Sequence, residues 1–345
     1  MQIATESRSG GGISILKDLY NYVVGDSQNE WIFLLSEPFI KNTHNVRVLL
    51  LPEVKKNWLN RLAFDFIWGR KVLDKLHPDI VLQQQHTRIL GTKAPQVLYL
   101  DQVLPFQREK KYSFLKKDEF TMAVRCYLIG ALIKYSCKKS ASIIVQTEWL
   151  KKEVIRQCHV KPEIIYVVPP EIDVSKVPDD YEPEKRTEFF YPASEAPYKN
   201  HECIIKASQI LCRENVNHTV TFTIQGDSSE HIKYIGMIPK EEVLFRLKHQ
   251  TLVFSSYIES FGLPLAEAKA VGGLILAADT PFAREILAGY SNSYFFDYKK
   301  PEQLANLMKQ VVEGKIIKRH IEQSKKLSEV VTWGKIENII ELLNK

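Results

Sequence analysis

Along nearly its whole length the chain alternates short, continuous apolar runs with longer amphipathic stretches, and few folds satisfy that rhythm. In the first half MQIAT, WIFLL, VRVLLL, DIVLQ, QVLYL, SIIVQ and IIYVV read as strands. Between them, Ile13–Val24, Val54–Leu76, Asp118–Lys138 and Thr147–Cys158 read as helices. The strands are apolar throughout rather than alternating, as expected of a parallel sheet covered on both faces. Val167-Val168-Pro169-Pro170 closes this half, because proline cannot continue a sheet interior. In the second half FFYPA, TVTFTIQG, HIKYIGMI, TLVFSS, GLILAAD and YFFD read as strands. Helices are predicted at Asn200–Arg213, Lys240–His249, Pro264–Val271, Pro301–Glu313 and Thr332–Leu343. Strands alternating with helices imply βαβ units, hence α/β architecture with two doubly wound, Rossmann-like domains. The 345 residues suit that number. The expected boundaries are 1–170 for the first domain, 171–187 for a linker, 188–325 for the second domain and 326–345 for a C-terminal helix packing back towards the first. In such a pair the strand ends, where ligands gather, open on a shared central cleft.

Composition removes several classes. The chain is 45% apolar and 26% charged, ordinary for a globular protein. No apolar run approaches the roughly 18 residues of a membrane span. The start, MQIATESRSGGG, lacks a signal peptide's layout. Five cysteines form no CxxC pair, so free thiols in a reducing, cytoplasmic compartment are expected. Residues 1–165 carry 25 Lys and Arg against 16 Asp and Glu; the remainder carry 22 against 25, which accounts for the net +6. The excess concentrates at Arg108, Lys110, Lys111, Lys116 and Lys117, interleaved with Phe106, Tyr112, Phe114, Leu115 and Phe120. That stretch is either a solvated loop and helix start or a patch for an anionic leaflet at the inner membrane face, where each basic side chain adds about 1 kcal/mol. No recognisable module supports nucleic-acid binding.

Three clusters fall where strand ends should open. Gly10-Gly11-Gly12 follows the first strand; glycines permit close backbone approach, and exposed helix-start amides favour a phosphate. A tight turn explains them equally well. Tyr198-Lys199-Asn200 precedes a helix, where the dipole disfavours a cation unless an anion is shared. An exposed lysine with no partner is the alternative. The third cluster is Glu259-Ser260-Phe261-Gly262-Leu263-Pro264-Leu265-Ala266-Glu267. Two carboxylates at a strand–loop–helix junction can accept strong hydrogen bonds from vicinal hydroxyls. The amides of Ser260, Phe261, Gly262 and Leu263 would point at a ligand from the loop. Helix-start electrostatics account for Glu267 well and for Glu259 poorly.

Taken together, these motifs resemble a retaining glycosyltransferase of the GT-B fold, family 4 (glycosyl transferases group 1). The family shows a glycine-rich first loop, a lysine in a YKN-type motif and two glutamates separated by seven residues around S-F-G-x-P. Ala278-Asp279-Thr280-Pro281, Arg284-Glu285 and Val145-Gln146-Thr147-Glu148-Trp149-Leu150 also resemble it. The resemblance spans nearly the whole chain, and the glutamate motif is its most specific element. It implies that Glu267 holds the ribose of a nucleotide-sugar and Glu259 binds the donated hexose. Lys199 would neutralise the diphosphate, joined by the amides of Gly11 and Gly12, and the base would lie near Gly236-Met237-Ile238. No cofactor and no divalent metal are implied; Asp179-Asp180 lies in the linker and forms no DxD motif.

Two positions depart from the family. Ser194 stands where an arginine is frequent, and Asp101, in Tyr99-Leu100-Asp101-Gln102, stands where a histidine is usual. Asp101 is expected either to meet a sugar hydroxyl or the acceptor's proton, or to be structural. The implied reaction is sugar transfer to a glycan, with a lipid-linked O-antigen or capsule intermediate as the expected acceptor. The alternatives are a non-catalytic nucleotide-sugar-binding subunit, motivated by Asp101 and Ser194, and a nucleotide-sugar epimerase, for which acid–base residues cannot be placed.

Overall fold

The computed structural model describes residues 2–3, 11–175, 177, 185–319 and 332–343. Gly10 and Asp179-Asp180 lie outside the described residues. The chain divides into two compact units, Met1–Pro170 with Val330–Lys345, and Glu171–Glu329.

The first unit holds seven parallel strands: β1 (Gln2–Ile3), β2 (Trp31–Leu35), β3 (Val46–Leu50), β4 (Val81–Gln83), β5 (Gln96–Leu100), β6 (Ser142–Val145) and β7 (Ile165–Val167). Their order is β3-β2-β1-β4-β5-β6-β7, so the winding reverses between β1 and β4. Trp31, Phe33 and Leu35 pack into one core with Ile15, Leu16 and Leu19 of α1 (Gly11–Val23), while Leu34 packs on the other face with Phe64, Leu73 and Val81. Burial on both faces is what makes β2 apolar at every position.

The helices of this unit correct two expectations. The stretch predicted as one helix from Val54 to Leu76 is a 3-10 turn (Pro52–Lys55), then α2 (Trp58–Ala63), a π-helical turn (Phe64–Trp68) and α3 (Gly69–Leu76). Pro52 starts the 3-10 turn, and the Asn57 side chain accepts from the Asn60 amide to cap α2 afresh. The predicted helix from Asp118 to Lys138 likewise splits into α4 (Phe120–Ala123), a π-turn (Val124–Ile129) and α5 (Gly130–Lys139). A π-turn inserts a residue without changing the apolar pattern enough to be read. α6 (Glu148–Cys158) completes the unit, capped by the Thr147 hydroxyl.

The second unit holds six parallel strands: β8 (Lys185–Tyr191), β9 (Thr219–Phe222), β10 (Ile232–Tyr234), β11 (Gln250–Phe254), β12 (Ile275–Ala278) and β13 (Ser293–Phe296). The order is β10-β9-β8-β11-β12-β13, with the reversal between β8 and β11. Its helices are α7 (His201–Arg213), α8 (Lys240–His249), α9 (Leu263–Ala270), α10 (Pro281–Ile286) and α11 (Pro301–Val312). α10 was not anticipated, although Thr280 caps it by accepting from the Ala283 amide and Pro281 starts it.

The last helix, α12 (Thr332–Leu342), packs on the first unit as expected. Trp333, Ile336 and Ile339 enter that unit's core, and Trp333 stacks on Tyr99 at 6.2 Å. The Tyr22 hydroxyl of α1 donates to Glu337 at 2.6 Å. No helix among the described residues is long and apolar enough to cross a membrane.

Candidate functional site

In open α/β sheets the ligand crevice lies beyond the carboxyl ends of the strands where the winding reverses. In the second unit that point is flanked by the loop after β8, carrying Lys199, and the loop after β11, carrying Glu259. The two side chains meet: Lys199 Nζ donates to Glu259 Oε1 at 2.5 Å, and both are largely buried, with 16% and 14% of their side-chain surface exposed. Sixty residues of sequence separate them, and the pairing of β8 with β11 brings them together.

The loop that presents Lys199 is fixed by its neighbours. Asn200 adopts a left-handed backbone (φ 57°), which the short polar side chain tolerates. The Tyr191 and Ser255 hydroxyls both donate to the Lys199 carbonyl at 2.8 Å, and Ser255 also donates to the Asn200 carbonyl at 3.0 Å. The Tyr257 amide donates to the Tyr198 carbonyl at 3.1 Å, and Tyr257 stacks on Tyr298 at 5.1 Å. Burial holds the Tyr191 hydroxyl well above its ordinary pKa, so it remains a donor. His201 opens α7 against the rings of Tyr191 and Phe222. Burial, aided by the Lys199 charge, pushes its pKa down to about 4.

The glutamate loop is equally constrained. Gly262 caps α9 at φ 90°, a left-handed conformation that favours glycine, and a Cβ there would sit 3.3 Å from the Leu265 side-chain end. α9 begins at Leu263, one residue before the expected Pro264. Phe261 is buried, Ser260 and Leu263 are half-buried. Glu267 is 8% exposed, and burial raises its pKa against the pull of Lys240, whose Nζ lies 3.9 Å from Oε1. Each glutamate therefore has its own lysine, an arrangement that sequence reasoning missed for Lys240. Ile238 is half-buried beside Gly236, which turns at φ 69°. Ser194 is exposed. At the end of β12 the Arg284 guanidinium grips Asp279 with two bonds of 2.7 and 2.8 Å and lies 3.7 Å over the Phe295 ring.

In the first unit the reversal point is bordered by Gly11 and Gly12 after β1 and by the loop after β4. The glycines were expected in a loop; they form the first residues of α1 instead. Amides in a first helical turn have no partner within the helix, so they remain available donors. Asp101 follows β5 directly, and His86 Nε2 stands 3.1 Å from its Oδ1. His86 Nδ1 is 3.4 Å from the Tyr99 carbonyl, and the residue sits at φ 65°, uncommon for a non-glycine. A histidine thus reaches Asp101 from the loop after the neighbouring strand. Sequence reading missed it because nothing local to His86 signals the β4–β5 register.

The basic stretch is partly neutralised. Arg108 pairs with Glu153 at 3.1 Å, and Lys110 and Lys116 share Glu119 at 3.4 and 3.6 Å. Around it Phe114, Leu115, Phe120 and Leu128 are exposed, Leu115 at 97%.

One group of side chains has metal-ligand composition: Cys212, His218 and His231, with ligating atoms within 4.8 Å of one another. The His218 Nε2 meets Ser208 Oγ at 2.7 Å and its Nδ1 meets the Val216 carbonyl at 2.8 Å. The two imidazoles are stacked within 9° of parallel, so their lone pairs do not converge on one ion. Hydrogen bonding and stacking account for this cluster.

Residues 176–329 match the family model for glycosyl transferases group 1. No curated protein sequence matches the chain. Among solved structures it is similar to WaaG, a glycosyltransferase involved in lipopolysaccharide biosynthesis, with a TM-score of 0.68 over 90% of each chain at 13% identity. It is similar to HepE of Anabaena in complex with UDP-glucose, with a TM-score of 0.67 over 99% of this chain and 98% of that one at 14% identity. TarM gives a TM-score of 0.60 at 14% identity; the match takes in 80% of this chain and 57% of TarM. At these identities the likeness is one of fold, and that fold is GT-B. The family match and the fold together support a glycosyltransferase.

Proposed function

We propose that the chain is a retaining, metal-independent hexosyltransferase of family 4 that moves a sugar from a nucleotide-sugar to a glycan acceptor. The observation that carries this reading is the Lys199–Glu259 pair at the reversal point of a unit that matches the family model. An ammonium and a carboxylate side by side offer one partner to a diphosphate and one to sugar hydroxyls. When the donor binds, its diphosphate takes Lys199 and releases Glu259 to the hexose. Glu267, held by Lys240, receives the ribose, and the base lies against Ile238. The amides of the Ser260–Leu263 loop add fixed dipoles.

Bond breaking places charge on the departing nucleoside diphosphate, and Lys199 with those amides stabilises it where preorganised dipoles contribute most. The leaving phosphate oxygen takes the acceptor's proton while the acceptor oxygen attacks from the same face, so configuration is kept. Asp101, oriented by His86, contacts a sugar hydroxyl or the incoming acceptor. The expected acceptor is a lipid-linked intermediate of O-antigen or capsule type, met at the cytoplasmic membrane surface. The exposed Phe114, Leu115 and Phe120 beside Lys111 and Lys117 support that contact, as does the place of WaaG among the structural relatives.

Purified chain is incubated with UDP-, GDP- and other nucleotide-sugars in EDTA, and nucleoside diphosphate release is followed. Release from one donor, absent in Glu259→Ala, is expected. Neither binding nor release from any donor would overturn the reading.

A further inference from the structure

The first unit contains a cavity of about 390 Å³ that none of the motifs above touches. Its walls include Trp58 and Arg61 of α2, Asp65 of the first π-turn, Gln85 and Thr87 after β4, and Arg125 of the second π-turn. Both π-turns thus deliver a charged residue to one cavity. Such turns are rare and recur at functional sites because the extra residue re-aims a side chain.

The floor of the cavity is rigid. Arg61 Nη2 donates to Thr87 Oγ1 at 2.9 Å and to the Gln85 carbonyl at 3.3 Å, and lies 3.2 Å from Asp65 Oδ2. Thr87 Oγ1 in turn donates to Asp65 at 2.5 Å. Asp65 is 1% exposed, so its charge is spent on Arg61. At the mouth Arg125 is exposed and makes no ion pair with another described residue. Lys55, also lining the cavity, pairs only distantly with Glu37 at 3.7 Å. With Arg61 matched by Asp65 and Lys55 by Glu37, Arg125 leaves the cavity with a surplus of one positive charge. Trp58, with 58% of its surface exposed, offers an aromatic face beside them. A volume of this size suits one or two sugar rings.

We infer that this cavity binds a negatively charged saccharide, a uronic acid or a sugar phosphate, with the ring on Trp58 and the anion on Arg125 and Arg61. Guanidinium forks match carboxylate and phosphate geometry, and the fixed Arg61 loses little freedom in binding. Residues 85, 86 and 87 connect the site to the rest of the unit: the outer two line the cavity and the middle one pairs with Asp101. On the glycosyltransferase reading the occupant is the acidic residue of the acceptor; the binding itself stands apart from that reading.

The full chain is labelled with 5-fluorotryptophan, and the Trp58 resonance among the five tryptophans is assigned through Trp58→Phe. Methyl β-glucuronide, glucose 1-phosphate and the uncharged methyl β-glucoside are titrated in turn. At least one charged probe should move the Trp58 signal saturably, and bind at least about tenfold more tightly than the glucoside, the discrimination expected of a charge-assisted hydrogen bond. Arg125→Gln should weaken that binding by about the same factor while the other four resonances stay in place. No shift from either charged probe, equal binding of the glucoside, or undiminished binding in Arg125→Gln would each overturn the inference. Failure of the glycosyltransferase reading would instead appear as absent donor binding and turnover, with the Trp58 titration unaffected.

Discussion

The two units repeat one architecture, a parallel sheet whose winding reverses near its middle, yet they fill the reversal point differently. In the second unit Lys199, Glu259, Gly262 and Glu267 come from two short segments whose backbones are tied down by Tyr191, Ser255 and Tyr257. In the first, His86 and Asp101 reach each other from the loops after adjacent strands, and the cavity beside them is built from three separate stretches of chain. A site made of contiguous loops leaves a readable motif. A site made by strand register and helix irregularity leaves scattered residues.

The sharpest way to break this contrast is to compare kinetics across it. Lys199→Ala and Glu259→Ala should each lower kcat by about 10²–10³-fold, the scale of losing a preorganised partner of developing charge. His86→Gln, which keeps a hydrogen-bonding side chain at the position, should cost only about tenfold and act on the acceptor's KM more than on the donor's. Equal losses from both units, measured with donor and acceptor varied separately, would erase the distinction.

A second comparison concerns backbone. Gly262 and His86 both adopt left-handed conformations, one with a glycine and one without. Gly262→Ala should destabilise the chain by about 1–3 kcal/mol through strain and contact with Leu265. His86→Gly should leave stability nearly unchanged, because relief of strain offsets the added freedom of the unfolded chain, while transfer falls. Urea denaturation of both variants checks the pair.

The smallest effect is on pH dependence. His201 is held near pKa 4 in the folded chain, below its ordinary value of 6.5. The unfolded chain therefore binds more protons between those values, and stability rises with pH across that window. The contribution is present above about pH 6.5 and is lost as pH falls towards 4. His201→Gln should flatten the melting temperature over this range, and an unchanged slope would remove His201 as its cause.

Much of the donor side was legible in sequence. Continuous apolar strands required sheets covered twice, and S-F-G-x-P placed a helix start within one residue. The Lys199–Glu259 contact was not, since each residue had been given its own part of the donor and only the β8–β11 pairing joins them. The π-turns at Phe64–Trp68 and Val124–Ile129 were invisible because one inserted residue barely disturbs a helical apolar stripe. α10 is legible in principle, because Thr280-Pro281 is a helix-start signal, but its six residues are too few for an apolar stripe to show.

The bond between Lys199 and Glu259 makes the pair a closed circuit. A ligand that brings only a phosphate must strip Glu259 of its cation and leave a half-buried carboxylate alone. One that brings only hydroxyls must compete with an ammonium already in place. On the proposed function a nucleotide-sugar satisfies both ends at once, which would make the pair a coincidence filter. On the same reading, Glu259 freed by sugar transfer would compete with the spent nucleotide for Lys199.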